Sequence, residues 1–348
     1  MPLQTTCIGA FPKPGGIGLA HWRLANNGAG AVRKFDYISG GEDGGDRDAL
    51  DAATRGVVRD QVACGIDIPT DGEQRRENYI HYHCRHLSGI DFQRLTEKVH
   101  RGGGVTADLP TITGRIRARP GHFLDRDFTV AQAATNRPVK ITVPGPLTIM
   151  DTTVDGHYGD PAQLGRDLAD ALNVEILVLA GAGCRHVQID EPLFARNVDD
   201  ALEFGIECQE RCFHNVPKQV NRIMHMCCGY PGRLDEPDYP KADPASYLAL
   251  AHDLDQCAIG QVSIEHAHRA NDGKLFEIFA ATDLILGVID IATARIEPVE
   301  EIVERLRGAL EHIEAARLIA APDCGLPLLS RRGAMAKLSN LCLAAAAI

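Results

Sequence analysis

The sequence predicts an α/β fold, a single (β/α)8 TIM barrel that spans residues 1–348, on three observations. Eight short apolar segments recur along the chain, and each ends in polar or glycine-rich residues. Segments with helical spacing lie between them, and this alternation is typical of parallel strands joined by crossover helices. The composition, 45% hydrophobic and 24% charged over 348 residues, is that of an ordinary globular protein. A barrel of this length forms one domain.

The predicted strands follow one another at intervals that leave room for a helix between most of them. They cover residues 5–11, 65–68, 140–145, 185–192, 222–229, 259–265, 283–290 and 318–325. The predicted helices cover residues 49–63, 162–180, 244–254, 298–316 and 333–348. In the fourth helix, the apolar residues that share one face are Val299, Ile302, Val303, Leu306 and Leu310.

One interval, between the second and third predicted strands, is too long for a single helix. Two alternating runs, 111–117 and 125–130, flank Arg119, Pro120 and Gly121 and predict a β-hairpin. We therefore expect a hairpin insertion at about residues 93–138 and not a second domain. The stretch 12–48 is rich in glycine and charge, which predicts a long loop near the first strand.

Charge and composition exclude several classes of partner. The formal net charge is −11, no basic stripe is present and aromatic residues make up only 5%, so we expect no nucleic-acid partner. No apolar run reaches the length of a membrane span, and the N-terminus lacks the features of a signal peptide. The eleven cysteines are scattered, which favours buried thiols over a disulfide framework. We expect a cytoplasmic protein without a membrane partner.

The segment Arg222–Gly229 is the first sign of a metal site. It has the character of a strand, and side chains alternate along a strand, so His225 and Cys227 point to one face while Met226 points to the other. An imidazole beside a thiolate suits zinc. Cys228 is expected on the face opposite Cys227. The alternative interpretation is that these residues are part of an apolar core, since free cysteine is often buried.

Two further ligands are predicted from the topology. In a barrel the carboxyl ends of all strands meet at one face, where the chemistry takes place. Glu265 ends the sixth predicted strand and Cys324 lies at the end of the eighth. With His225 and Cys227 they would form a four-coordinate zinc site. The alternatives are that Glu265 caps a helix or pairs with a nearby arginine, and that Cys324 fills a strand end.

The predicted strand ends carry a series of motifs that run in order through nearly the whole chain. They are Thr5–Pro12, Asp71–Glu73, Gly145–Ile149, Gln188–Pro192, His225–Cys227, Ser263–Glu265 and Pro322–Leu326. Together these motifs resemble the catalytic half of cobalamin-independent methionine synthase, in its short "core" form. The resemblance implies a (β/α)8 barrel, a zinc ion held by His225, Cys227, Glu265 and Cys324, and alkylation of the homocysteine sulfur.

The resemblance also implies where the amino-acid substrate binds. It would contact the backbone of Ile8 and Gly9, the neighbouring Ala10, and the carboxylates of Glu73 and Asp190. Two carboxylates suit an α-ammonium group. The alternative is that Glu73 orders its own loop and that Asp190 holds a strand end.

On the methyl-donor side the chain departs from the family. Thr152 stands where the family has a tryptophan that packs on folate, Ala292 where it has a proton-donating histidine, and Arg196 where it has a glutamate. We therefore expect the zinc side to be retained and the donor to be a molecule other than folate. His266 and His268, directly after the zinc glutamate, are the catalytic candidates for proton transfer.

The sequence thus predicts a zinc-dependent S-methyl- or S-alkyltransferase that activates a small-molecule thiol. Homocysteine is the preferred thiol, giving methionine, and a methyl-corrinoid carried by a protein is the preferred donor. Related enzymes with another thiol or electrophile, as in epoxyalkane:coenzyme M transferases, and C–S bond cleavage are alternatives. The non-enzymatic alternative is a zinc- or thiol-binding barrel. A histidine-rich segment that contains Tyr79, His81, His83, Cys84 and His86 either supplies a group for proton transfer or is a solvent-facing helix, and its spacing fits no common metal motif.

Overall fold

The computed structural model describes residues 2–14, 44–100, 105–236 and 239–348. The first half contains β1 (Gln4–Thr5), α1 (Gly44–Cys64), α2 (His81–Cys84), β2 (Leu87–His100), β3 (Val105–Ala118), α3 (Leu124–Gln132), β4 (Lys140–Pro144), α4 (Pro146–Asp151), β5 (Val154–Asp155) and α5 (Pro161–Gly181). The middle contains β6 (His186–Asp190), α6 (Pro192–Arg196), α7 (Val198–Asp200), a π-helical turn (Ala201–Gly205), α8 (Ile206–Cys212) and β7 (Asn221–Met226). The last part contains α9 (Ser246–Gln256), β8 (Gln261–Glu265), α10 (Gly273–Ile278), β9 (Asp283–Ile289), α11 (Val299–Leu310), a 3-10 turn (Ala315–Arg317), β10 (Leu318–Pro322) and α12 (Arg331–Ala346).

Seven of these strands form one curled parallel sheet, in the order β1-β10-β9-β8-β7-β6-β4. Six of the eight predicted strands are present as strands of five to seven residues in this sheet. The first predicted strand is shortened to β1, because the chain turns away from the neighbouring strand after Thr6. All five predicted helices are present, although the first begins five residues earlier than predicted, at Gly44, and the fourth ends six residues earlier, at Leu310. The predicted α/β class is therefore confirmed.

The second predicted strand is present only as isolated bridges between the two edges of the sheet. Thr6 forms a parallel bridge with Ile68, and Thr70 forms one with Lys140, the first residue of β4. The backbone N–H of Lys140 donates to the carbonyl of Pro69 at 2.8 Å. The segment between Ile68 and Thr70 therefore lies between β1 and β4 without forming a regular strand.

A β-hairpin is present in this part of the chain, but the predicted pairing of residues 111–117 with 125–130 was wrong. β2 and β3 pair antiparallel from Leu87 opposite Ala118 to His100 opposite Val105, so Arg119 lies at the open end of the hairpin. The run 125–130, predicted as a hairpin strand, lies in helix α3. Two aspartates in the first turn of α3 suit the positive end of the helix dipole. The buried residues of α3 include Leu124, Phe128 and Ala131, which recur at helical spacing.

The predicted loop at 12–48 falls largely outside the described residues, since 15–43 are not among them. Residues 44–48 already belong to α1, so the predicted loop was too long at this end. Among the helices of the described ranges, none has the length and apolar character that a bilayer crossing requires.

Apolar side chains pack on both faces of the sheet. A large cluster fills the space between the sheet and the surrounding helices, and Met224 and Met226 of β7 belong to it. A small cluster contains Ile223 of the same strand and residues of neighbouring strands. Strand alternation therefore directs Ile223 to one face and its neighbours to the other, as predicted for this segment. Cys228 belongs to the large cluster, away from the face of Ile223.

The histidine-rich segment is buried, so the interpretation as a solvent-facing helix was wrong. His81 and His83 lie in α2, where Nε2 of His81 is 3.1 Å from the carbonyl of Thr152. His86 follows α2, and its ring stacks on Phe123 with a centroid distance of 3.7 Å. These contacts pack the segment against the start of α3 and the end of α4. Among the described residues, no metal-ligand cluster includes these histidines.

Stability is expected to depend on pH through His86. Burial, with Arg119 and Arg85 nearby, lowers the pKa of His86 from 6.5 to about 4. The unfolded chain therefore binds more protons between these values, so the free energy of unfolding should fall as the pH drops from 6.5 towards 4. His86→Gln should reduce this slope, measured by thermal unfolding across that range. His157→Gln, at an exposed position, is the control; an equal slope in the His86 variant and the wild type would contradict the prediction.

Candidate metal centre and its pocket

Strand β7 and the segment after β10 bring three metal-ligating side chains to one point. The ligand atoms of His225, Cys227 and Cys324 all lie within 4.8 Å of one another. Nε2 of His225 is 3.4 Å from Sγ of Cys324. Hydrogen bonding with Cys324, followed by burial, raises the pKa of the Cys227 thiol. The structure thus contains a candidate metal site with one imidazole and two thiols.

Glu265, the fourth predicted ligand, lies beside this cluster at the end of β8. Burial, followed by the neighbouring Cys227 and Asp323, raises the pKa of its carboxyl well above the usual value. Its Oε1 is buried and has no hydrogen-bond partner among the described residues. A buried carboxyl oxygen without a partner costs free energy unless a donor or a cation satisfies it. The nitrogen, sulfur and oxygen donors of this cluster fit a zinc ion.

Ser263 orients the imidazole of His225. The register of β7 and β8 places His225 opposite Ser263, and Nδ1 of the ring is 2.9 Å from the serine Oγ. This contact leaves Nε2 directed to Cys324. A partner of this kind fixes ring orientation and tautomer in metal sites. Sequence reasoning missed this role, although Ser263 shares a strand face with Glu265, two residues later, and that alternation was the available signal.

One cavity connects the metal-ligating residues with the predicted substrate-binding residues. Glu265 is not among the residues that line it. All five predicted substrate-binding residues are, and three of the four predicted metal ligands join them. The lining includes Ile8, Gly9, Ala10, Glu73, Asp190, His225, Cys227 and Cys324.

Glu73 is held in a backbone conformation that few residues adopt. Its φ is +54°, in the left-handed region, which costs roughly 1–2 kcal/mol for a residue with a side chain. The Thr142 hydroxyl donates to its Oε1 at 2.9 Å, and Nη1 of Arg76 lies 3.5 Å from the same oxygen. A Cβ at Gly9 would lie only 2.7 Å from Oε1, so a side chain at this position would displace the Glu73 carboxylate. Strain maintained by such contacts is typical of functional sites.

A chain of buried side chains holds Asp190. Nζ of Lys140 donates to Oε1 of Gln188 at 2.5 Å. Nε2 of Gln188 donates to Oδ1 of Asp190 and to the carbonyl of Ile8, both at 2.7 Å. Burial raises the pKa of Asp190 to about 6, and His225 opposes this effect. Gln188 therefore fixes the relative positions of two groups that are predicted to contact the amino-acid substrate.

His266 and His268, the predicted catalytic residues, lie on the loop after β8 and do not line this cavity. His266 lines a separate surface depression, and its Nδ1 accepts a hydrogen bond from the N–H of Asn271 at 3.0 Å. Nδ1 of His268 is 3.5 Å from Asp290, and its Nε2 is 3.2 Å from the hydroxyl of Tyr239. The proton-transfer role of these two histidines therefore stays a prediction.

Several charged residues of the cavity were not identified from the sequence. Lys13 is one: its Nζ donates to the carbonyl of Arg76, and burial lowers its pKa to about 8. Arg76 also lines the cavity, and its spacing of three residues from Glu73 was a usable signal. Thr152 and Arg196, two positions predicted to lie on the methyl-donor side, also line the cavity.

Comparisons with known proteins agree on one family. The family described as "Cobalamin-independent synthase, Catalytic domain" matches residues 3–228 and 244–347. A methionine synthase from Sulfolobus acidocaldarius is 29% identical over 340 residues, which cover 97% of this chain and 90% of the relative. A B12-independent methionine synthase from Shewanella sp. W3-18-1, solved in complex with selenomethionine, has a TM-score of 0.83 at 27% identity and covers 99% of this chain and 97% of its own.

A second solved structure shows the same fold at lower identity. It is a putative vitamin-B12 independent methionine synthase from Listeria monocytogenes. Its TM-score is 0.71 at 19% identity, and the match covers 99% of this chain and 97% of that one.

Proposed function

The chain belongs to the catalytic-domain family of the cobalamin-independent methionine synthases, which are homocysteine methyltransferases, and we propose that it methylates the sulfur of homocysteine with zinc as its cofactor. One observation carries the proposal. The same cavity contains three converging metal-ligating side chains and the carboxylates of Glu73 and Asp190. A thiol-bearing amino acid is a molecule that could use both sets of groups at once.

His225, Cys227, Glu265 and Cys324 would hold the zinc ion. When bound, zinc lowers the pKa of a thiol and so favours the nucleophilic thiolate at neutral pH. The imidazole of His225 is already oriented by Ser263 at 2.9 Å. The unsatisfied Oε1 of Glu265 supports its inclusion as the fourth ligand.

The amino-acid part of the substrate would be bound by residues that line this cavity. Glu73 and Asp190 provide two carboxylates for the α-ammonium group. Gln188 donates hydrogen bonds to both Asp190 and the carbonyl of Ile8, so it fixes their relative positions. Both carboxylates are buried, so an ammonium partner would offset a desolvation cost. The selenomethionine bound by the Shewanella relative supports an amino-acid product of this size.

For the methyl donor we propose a molecule other than folate. Thr152 and Arg196 line the cavity. By the family resemblance, these positions carry a tryptophan that packs on folate and a glutamate, so the chain has replaced both. A methyl-corrinoid is our preferred donor. The comparisons do not support a corrinoid-protein partner, so the test uses free methylcobalamin.

The test is an assay of zinc-loaded protein with homocysteine and either methylcobalamin or methyltetrahydrofolate, in which methionine is quantified by mass spectrometry. We expect methionine from methylcobalamin and little from methyltetrahydrofolate. Robust activity with methyltetrahydrofolate would refute the donor proposal alone. A protein that binds no zinc, or that makes no methionine from either donor, would refute the proposed activity.

We further infer that the chain is one domain, a closed (β/α)8 barrel with the β2–β3 hairpin as an insertion. The bridges from Thr6 to Ile68 and from Thr70 to Lys140 support closure, because they connect the two edge strands through one segment. Closure brings the carboxyl ends of β4, β6, β7 and β8 to the same face as the segment after β1. That arrangement accounts for a shared cavity formed by residues far apart in sequence.

A further inference from the structure

A buried carboxylate next to the metal ligands holds the loop that follows Glu265. Asp323 is 1% exposed. Its Oδ1 accepts hydrogen bonds from the backbone N–H groups of His266 and Ala267, both at 2.9 Å. Its Oδ2 accepts one from the N–H of His268 at 2.7 Å. Because three consecutive N–H groups bind one carboxylate, the position of this loop depends on Asp323.

The carboxylate reaches this loop across strand β9. Gly287 of β9 pairs with Glu265 of β8, and a Cβ on Gly287 would lie 2.3 Å from Oδ1 of Asp323 and 2.5 Å from its Cα. A side chain at position 287 would therefore overlap Asp323, so this position requires glycine. The backbone N–H of Asp323 donates to the carbonyl of Ile289 on the same strand at 3.0 Å. Asp323 is thus anchored to β9 while its side chain holds the loop after β8.

We propose that Asp323 is a positioning residue that sets the spacing between two metal ligands, Glu265 and Cys324. This inference rests on the proposed function. Cys324 is the next residue in the chain, and the loop bound by Asp323 begins directly after Glu265. Metal ligands must be held to within about 0.5 Å of their binding geometry. Mutation of a residue that supports a ligand typically lowers metal affinity about 10- to 100-fold.

A second aspartate allows a matched control. Asp255, at the end of α9, is also buried, and its Oδ1 accepts hydrogen bonds from the N–H groups of Ala281 and Thr282 at 2.9 and 2.8 Å. These residues precede β9, so Asp255 lies near the amino end of the strands, opposite the metal ligands. Asp255 therefore holds a loop by the same chemistry without a connection to the site.

The experiment compares Asp323→Asn with Asp255→Asn in the full chain. The asparagine side chain keeps the shape of aspartate but replaces one acceptor oxygen with an NH2 group. We expect zinc affinity, measured by competition with a chromophoric chelator, to fall about 10- to 100-fold in Asp323→Asn and to remain near wild type in Asp255→Asn. The absorption spectrum of the Co²⁺-loaded Asp323 variant should change as well. Thermal unfolding of both metal-free variants reports any general loss of stability.

A second measurement needs no variant. By linkage, zinc binding should strengthen the hydrogen bonds of Asp323, so the amides of residues 266–268 in the wild type should exchange more slowly with zinc bound, while those of 281–282 should not. Equal zinc affinity in the wild type and Asp323→Asn, equal losses in both variants, or unchanged exchange at 266–268 would each overturn the positioning role. A wild-type protein that takes up no zinc would instead overturn the proposed function.

Discussion

Replacing Cys324 by serine is expected to abolish tight zinc binding and, with it, methyl transfer. Cys324 supplies one of two thiols in the cluster, and its Sγ is 3.4 Å from Nε2 of His225. A serine hydroxyl is smaller and does not ionise at neutral pH, so it is a poor zinc ligand. The loss in affinity should exceed about 100-fold, the upper end of the range for residues that only support ligands.

Cys228→Ser is the matched control for this prediction. Cys228 is adjacent to Cys227, yet its side chain belongs to the apolar cluster outside the sheet and accepts a hydrogen bond from Arg269 at 3.0 Å. Its replacement should leave the zinc content at about one ion per chain, measured after dialysis by elemental analysis. Full zinc content in Cys324→Ser, or equal losses in both variants, would show that the ligand assignment is wrong.

Replacing Asp190 by asparagine is expected to weaken homocysteine binding by about 2 kcal/mol or more, roughly 30-fold, because it removes one charge of a buried ion pair. The amide oxygen can still accept the hydrogen bond that Gln188 donates at 2.7 Å. The side chain at position 190 therefore keeps its place in the cavity lining while its charge is lost. The effect should appear in the dissociation constant of homocysteine, measured by calorimetry. Zinc content should not change, which separates this variant from Cys324→Ser.

Glu191→Gln is the corresponding control, because Glu191 is the next residue and is equally buried. Its carboxylate does not face the substrate: Oε1 accepts from the N–H of Leu147 at 2.8 Å, and Oε2 accepts from the Thr148 hydroxyl at 2.7 Å. Homocysteine affinity should remain within a few-fold of wild type. If Asp190→Asn binds homocysteine as tightly as Glu191→Gln does, Asp190 is not the ammonium partner.

In the hairpin region, the alternation of apolar and polar residues was not enough to predict the secondary structure. The run 125–130 alternates well enough to predict a strand, but it is short, and short runs do not distinguish a strand from a helix. Packing decided the outcome: Leu124, Phe128 and Ala131 share the buried side of α3. The Asp125 and Asp127 side chains in its first turn were the local evidence for a helix start.

Strand β7 shows what local pattern can determine. The sequence alone was sufficient to direct His225 to one face and Met226 to the other, because side-chain direction in a strand repeats every two residues. It also determined the α/β class, most strands and helices and, through their motifs, the family. Only the tertiary structure determined that Ser263 lies opposite His225 and that Asp323 reaches past Gly287 to the loop after Glu265. These contacts depend on the register between strands and on the space left by a neighbouring strand, and neither quantity is encoded in the periodicity of a single segment.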